Sequence, residues 1–270
     1  MNYLPLALVA LGSINLAQAA ESDTYISNGQ VYHSRGWVVE FGAGYNSDII
    51  KEQKNDYKFA FGDHNRFGPR LNVGYHGDRF NADLDKGINY RLYGKDRDAI
   101  TFSTYLTGNG LWLDKDVSKV LTGMEERRMS VDLGLNMDIK VGPRGVLSTN
   151  FQHDISGEYK GYVAGVRYQQ ILNLGRLDLV PFVGVSYNSA KFNDHYFGVS
   201  KKMAMPKRAQ YEAKAGVNYD IGYQLILPLS SNWRITQQTS YTHLSKEIAD
   251  SPITDSRNQW SANLMASYRF

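Results

Sequence analysis

Cysteine is absent from the 270 residues, so the fold holds without disulfides; a chain this long can bury a core without them, and the zero says nothing about compartment. Beyond the first twenty residues no apolar run approaches the length of about 18 that a membrane-spanning helix needs, which excludes helical insertion. Charge of one sign is also lacking. The 30 basic and 27 acidic residues are spread along the chain for a net +3, so there is no concentrated basic patch and no nucleic-acid partner is expected. His33, His64, His76, His153 and His195 show no paired spacing for a metal. Glycine-rich pieces such as "GAG" (42–44) lack a strand–helix context for phosphate, so no cofactor is expected either.

The chain does have an apolar stretch from Leu4 to Leu16, followed by Ala17-Gln18-Ala19, small at both positions a signal peptidase reads. This predicts a secretory leader over 1–19, although residues 1–3 contain no Lys or Arg. The expected organisation is a cleaved leader (1–19), a short N-terminal periplasmic segment (20–35) and one barrel (36–270). Mean hydropathy is −0.43, yet aromatics make up 13% of residues, with 19 Tyr. A polar average that contains many tyrosines fits strands whose two faces differ.

Alternation of that kind runs the length of the chain. In "GWVVEFGAGYN" Trp37, Val39, Phe41, Ala43 and Tyr45 oppose Val38, Glu40, Gly42, Gly44 and Asn46. In "RMSVDLGLNMDIKV" the polar set is Ser130, Asp132, Gly134, Asn136, Asp138 and Lys140. "EAKAGVNYDIGYQLIL" keeps the pattern from Glu212 to Leu227. A helix would scatter these sets around its circumference. Alternations this long exceed the usual 5–6 residue globular strand and match a tilted strand of roughly 10 residues that crosses a bilayer. Lipid leaves no unpaired backbone, so such strands must close into a barrel. The fold class is therefore all-β, a single transmembrane antiparallel barrel.

The final stretch, "NQWSANLMASYRF", alternates up to Phe270. It reads as the strand that closes the barrel, with Tyr268 and Phe270 in an aromatic girdle. Strands are expected near 36–47, 67–76, 79–93, 98–108, 127–141, 144–155, 159–172, 176–189, 211–228, 232–245 and 258–270. A weak twelfth at Asp56 to Gly62 makes the number even, so that both termini face the periplasm. Twelve strands are expected, with ten the alternative. Short links ("GDHNR", "GKDRD", "GPRG", "NLGR", "LPLSSN") then fall on the periplasmic side, and long polar links on the outer side.

Several stretches carry a family likeness. "LTGM" (121–124), "QHDISGEYKGYVAGVRY" (152–168), "YFGVS" (196–200), "DIGYQLILPLSSNWRIT" (220–236), "DSPIT" (250–254) and the terminus together resemble the MipA/OmpV family of Gram-negative outer-membrane proteins. The resemblance implies an outer-membrane location and no enzymatic activity. It also implies a scaffold role like that of the family's best-described member, which joins a lytic transglycosylase to a murein synthase. A terminal Phe270 on an alternating strand also resembles the signal read by the barrel assembly machinery.

Candidate site residues are the lumen-facing charges. Glu40, Asp83, Asp85, Asp132, Asp138, Asp178 and Asp220 stand against Arg70, Arg91, Lys140, Arg167, Lys214, Arg234 and Arg269. Their balance argues for pairing across a narrow lumen, since a selective pore would favour one sign; intramembrane charge keeps a conducting path for small solutes as the second reading. Arg97, Arg144 and Trp233 in or beside the short turns are candidate partner contacts. In "THLSKE", His243 and Ser245 have the spacing of an outer-membrane lipid hydrolase. They continue the lipid-side face of their strand, which argues for interfacial residues instead. Lys201, Lys202, Lys207 and Arg208 form an expected exposed basic loop within reach of lipopolysaccharide phosphates.

Overall fold

The computed structural model describes residues 23–53, 67–96 and 98–270. Residues 1–19, expected as a leader, the stretch 56–62 and Arg97 lie outside the described residues. A hairpin of β1 (Tyr25–Ser27) and β2 (Gln30–Tyr32) precedes the wall strands. These are β3 (Gly36–Asn46), β4 (Phe67–His76), β5 (Phe80–Asp83), β6 (Gly87–Tyr93), β7 (Ile100–Asn109), β8 (Ser130–Val141), β9 (Gly145–Asp154) and β10 (Tyr162–Gln170). After β11 (Leu172–Leu174) come β12 (Leu177–Asn188), β13 (Gly216–Pro228), β14 (Trp233–His243) and β15 (Asn258–Arg269). β1 and β2 pair apart from the wall; from β3 to β10 and from β12 to β15 each strand pairs antiparallel with the next, β10 pairs β12, and the short β11 pairs β12 alone. The last strand β15 pairs the first wall strand β3, from Ser261 opposite Asn46 to Arg269 opposite Val38, which closes a barrel of twelve strands.

The count of twelve is reached by a different route from the one expected. The stretch 79–93 is not one strand but two, β5 and β6. Asp83 Oδ1 accepts from the backbone N–H of Asp85 (2.8 Å) and Lys86 (3.0 Å), which bends the chain. Gly87 follows at φ +78°, and a Cβ there would meet the Leu106 carbonyl oxygen at 2.2 Å. β3 and β4 bond directly, with Tyr45 opposite Phe67, and the weak strand expected at 56–62 lies outside the described residues.

The alternation sorts as the patterning argument requires. Trp37, Phe41, Leu71, Leu135, Ile221 and Leu264 lie outside and exposed, while Glu40, Asn72, Asp132, Asp138 and Asn218 are buried inside. Trp233, Tyr268 and Phe270 form an aromatic run on the outer face, with 5.0 Å between the centroids of successive rings. Inside-out patterning sets a test. Leu264→Arg puts charge at lipid and is expected to cost about 2–4 kcal/mol, whereas Asn263→Arg faces the lumen and costs less. Urea titration of folding into lipid vesicles measures the difference.

The two barrel ends differ. One carries the termini of β3 and β15 and the short turns 77–79, 94–99, 142–144, 171–176 and 229–232; we call it the turn end. The other gathers the long connections, which sequence patterning marks as polar links. They are polar outside but share an apolar core. Ile50, Leu113, Leu121, Tyr196, Val199, Leu244, Ile248 and Ile253 are buried together there, with α1 (Ala190–Phe197) and α2 (Lys246–Ala249) packed into the cluster. Arg127 pins this dome, donating to the carbonyls of Tyr196 and Gly198, both at 2.6 Å. Burial lowers its pKa to about 10, so it stays charged at neutral pH.

Candidate functional site

The turn end is filled by the N-terminal hairpin. "YISNGQVY" (25–32) alternates around Asn-Gly, and Asn28 (φ +52°) and Gly29 (φ +67°) both adopt the left-handed conformation that a tight two-residue hairpin demands. This signal is in the sequence, but the segment's polar flanks and its place ahead of the barrel hid it. Residues 23–35, expected as a short N-terminal segment, enter the barrel.

The hairpin is held chemically as well as sterically. Gly29 N–H donates to Asp138 Oδ1 at 3.1 Å, and Gln169 Nε2 donates to the Gly29 carbonyl at 2.8 Å. Arg91 donates to Ser27 Oγ at 3.0 Å, and Asn89 to Tyr32 Oη at 2.8 Å. Ile26 and Val31 pack on Ile171, Val180 and Ile226, an apolar patch on an otherwise polar inner wall. Tyr32 is fully buried, its ring edge-on to His76 at 4.8 Å with the Lys86 ammonium 4.6 Å above it.

Below the hairpin a continuous polar cluster joins plug to wall. His33 Nε2 meets Glu40 Oε1 at 2.9 Å, and Asn72 Nδ2 donates to Glu40 Oε2 (2.6 Å) and Asp83 Oδ2 (3.1 Å). His76 Nε2 reaches the same Asp83 oxygen at 2.9 Å. Burial lowers the His33 pKa, opposed by Glu40 and reinforced by Lys86 and Arg234. His33 is therefore neutral when docked, while an undocked imidazole takes up a proton near its ordinary value of about 6.5. Docking stability from this group is fully present above that pH and is lost as pH falls toward the lowered docked value. Amide exchange of residues 26–32, corrected for intrinsic rate, is expected to accelerate below about pH 6, and His33→Gln is expected to flatten the profile.

The expected charges are distributed as follows. Arg167 and Asp220 pair at 2.9 Å across β12, which they can do because Gly184 stands between them; a Cβ there would meet Asp220 Oδ1 at 2.4 Å. Asp132 accepts hydrogen bonds from Asn109, Ser130, Gln152 and Tyr159. Asp138 takes them from Gly29, Asn136 and Ser148. Asp178 is buried beside Asn173 Nδ2, 3.1 Å away. Arg91 ion-pairs with Asp96 at 2.5 Å, and Asp23 lies 3.6 Å from Arg234 and 3.2 Å from Arg269. Neutral donors and the plug thus satisfy groups expected to pair wall to wall. Arg70 is half-buried on β4 beside Asn46, while Asp85 sits in the β5–β6 turn. Lys140 is exposed at the turn end, and its ammonium donates to the Asp96 carbonyl. Lys214 is exposed and precedes β13 at the loop end.

Of the candidate contacts, Arg144 is exposed in the 142–144 turn, and Trp233 turns outward against Phe41 and Tyr268. The hydrolase spacing does not become a dyad. His243 ends β14 and meets Asn258 Oδ1 at 3.0 Å, whereas Ser245 lies past the strand, buried as the cap of α2 and facing Gly216. Among the described residues no hydrogen bond joins the two. Arg208, expected in an exposed basic loop, is buried and donates to the carbonyls of Met203, Val120 and Thr122. Lys201, Lys202 and Lys207 do remain exposed.

Between the hairpin tip and the wall lies a polar cavity of about 310 Å³, bordered by Asn28, Tyr105, Asn136, Asn150, Gln152 and Ser186 among others. No group of three or more His, Asp or Glu suited to a metal occurs among the described residues.

Comparison with known proteins adds the family. Residues 41–270 match the family model described as MltA-interacting protein MipA. Outer membrane protein OmpV of Vibrio cholerae is 44% identical over 266 residues, covering 98% of this chain and 99% of that one. Outer membrane protein Omp26La of Vibrio anguillarum is 42% identical over the same shares. A more distant relative, MltA-interacting protein of Escherichia coli, is 24% identical over 68% of this chain and 73% of its own. With a closed barrel, lipid-facing aromatics and this likeness together, the chain belongs to the MipA family of outer-membrane β-barrel proteins.

Proposed function

We propose that this barrel is a non-catalytic interaction protein of the cell envelope, with its turn end toward the periplasm, where it holds a murein-cleaving and a murein-synthesising enzyme together. The observation that carries this reading is the docked hairpin, which fills the turn end and turns a would-be pore mouth into a solid surface. A rim of short turns surrounds it, and short rigid turns lose little entropy on docking. Arg144 and the 229–232 turn are exposed for contact, with Arg97 assigned to the same rim from sequence and Trp233 marking its membrane edge. Support for the partner class comes from the Escherichia coli relative named for its interaction with MltA. At the other end Lys201, Lys202 and Lys207 are available to lipopolysaccharide phosphates, and Phe270 to the assembly machinery.

The test is cross-linked recovery from envelopes, read by mass spectrometry. A lytic transglycosylase or murein synthase is expected with the intact protein and is lost when turns 94–98, 142–145 and 227–232 become glycine-serine linkers, the barrel staying heat-modifiable. Undiminished recovery ends the turn-rim reading. Orientation is checked in the same cells: Cys at Lys201 is expected to label with an impermeant maleimide, and Cys at Arg144 to stay unlabelled. A narrow solute channel is the second reading, favoured by the polar cavity; single-channel steps from the intact protein in planar bilayers would replace the first reading with this one.

A further inference from the structure

The lumen cavity has a composition that selects a ligand class. Its volume of about 310 Å³ equals the liquid share of about ten waters. The charges at its border are already engaged. Arg167 holds Asp220 at 2.9 Å, and Lys86 stands 3.8 Å from Asp83 and over the Tyr32 ring. Asp138, just behind Asn136, has one oxygen accepting from Gly29, Asn136 and Ser148 and the other buried out of contact with the cavity.

The neutral groups keep spare capacity: Asn136, Gln152 and Tyr105 each donate one hydrogen bond within the protein, to Asp138, Asp132 and Gln152, and each carboxamide has a second amide proton. Asn28 borders the cavity and is 8% exposed, and its carboxamide oxygen is buried without a partner. The left-handed turn fixes where that side chain stands. Across from it the Asn150 amide reaches Tyr105 Oη only at a long 3.4 Å. An unpartnered buried carbonyl oxygen costs about 1–3 kcal/mol, which turning the Asn28 carboxamide onto a ligand hydroxyl in the cavity would recover.

We infer that the cavity between the hairpin tip and the inner wall is a binding site for a neutral polyhydroxylated solute of hexose size. Each hydroxyl both donates and accepts, which suits a lining of carboxamides, a phenol and serine hydroxyls. A charged solute surrenders hydration without finding a free counter-charge. An apolar solute leaves the amides unpaired. This inference rests on the lumen alone and is independent of any murein partner.

Ligand-observed NMR on the intact mature protein in detergent micelles tests it, with D-glucose as the probe and gluconate, glucosamine and cyclohexanol as its charged and apolar counterparts. Saturable glucose binding is expected, with the other three at least tenfold weaker. Asn28→Gly keeps the left-handed turn while removing the carboxamide, and is expected to weaken glucose at least fivefold. Ser186→Phe fills the cavity from the wall and is expected to abolish binding, with heat-modifiability reporting that both variants fold. No saturable glucose binding, tighter binding of any counterpart, or unchanged glucose affinity in both variants overturns the inference.

Discussion

Deleting residues 23–35 is expected to expose the inner wall at the turn end while leaving the barrel closed. The barrel closes through β3 and β15, and that ladder begins at Val38, beyond the deletion. Docking, by contrast, rests on the hairpin: net hydrogen bonds of about 1 kcal/mol each, and burial of Ile26, Val31 and Tyr32, for which full burial is worth about 1.5–3 kcal/mol per large side chain. Because the chain has no cysteine, Ser148→Cys makes a clean single-site reporter. Ser148 is 3% exposed, and a Cβ on Gly29 would stand 3.4 Å from its own Cβ, so the hairpin tip covers it. Maleimide labelling at this position is expected to rise by two or more orders of magnitude on deletion, since about 1.4 kcal/mol corresponds to tenfold. Equal rates with and without the hairpin would mean that the plug is not docked in solution.

Arg127→Ala is expected to loosen the dome without unfolding the barrel. The guanidinium is buried and serves two carbonyls of the segment around α1, so truncation strands both. Hydrogen bonds to a charged group are worth about 1.5–3 kcal/mol each, which puts the loss at about 2–4 kcal/mol after partial relaxation. Trypsin cleavage at the exposed Lys201, Lys202 and Lys207 is expected to accelerate roughly 30-fold to 1,000-fold. Arg128→Ala, on an exposed side chain paired with solvent-exposed Glu126, is expected to cleave at the wild-type rate. Urea denaturation of the barrel is expected to match wild type in both variants, because the wall ladders do not involve either residue.

Much of the wall was legible because lipid and lumen impose a period of two on every strand. Glu40, Asp132, Asp138 and Arg234 fall on the inner face by counting alone, and all four are buried there. The β5–β6 turn was readable in principle from Asp83, Asp85 and Gly87, but alternation on either side of it reads as one long strand. The pairing of the charges was not readable. Balance in number suggested wall-to-wall ion pairs, whereas Asp132 and Asp138 accept instead from amides, hydroxyls and backbone. Donor supply depends on which strands become neighbours and on the hairpin inserted among them, and neither is written in local pattern.

The sequence by itself determined an all-β transmembrane barrel, its inside and outside and its family likeness, because each follows from local periodicity or from motifs in order. Tertiary structure alone decided that the turn end is plugged and the loop end domed. Ile26 and Val31 look like any short apolar alternation until Ile171, Val180 and Ile226, far along the chain, form a patch for them on a polar wall. Ile50, Leu113, Tyr196 and Ile253 look like scattered apolar residues in polar loops until barrel closure brings four connections over one opening. Both are contacts between segments distant in sequence, and their free energy exists only once the strands have set the ring.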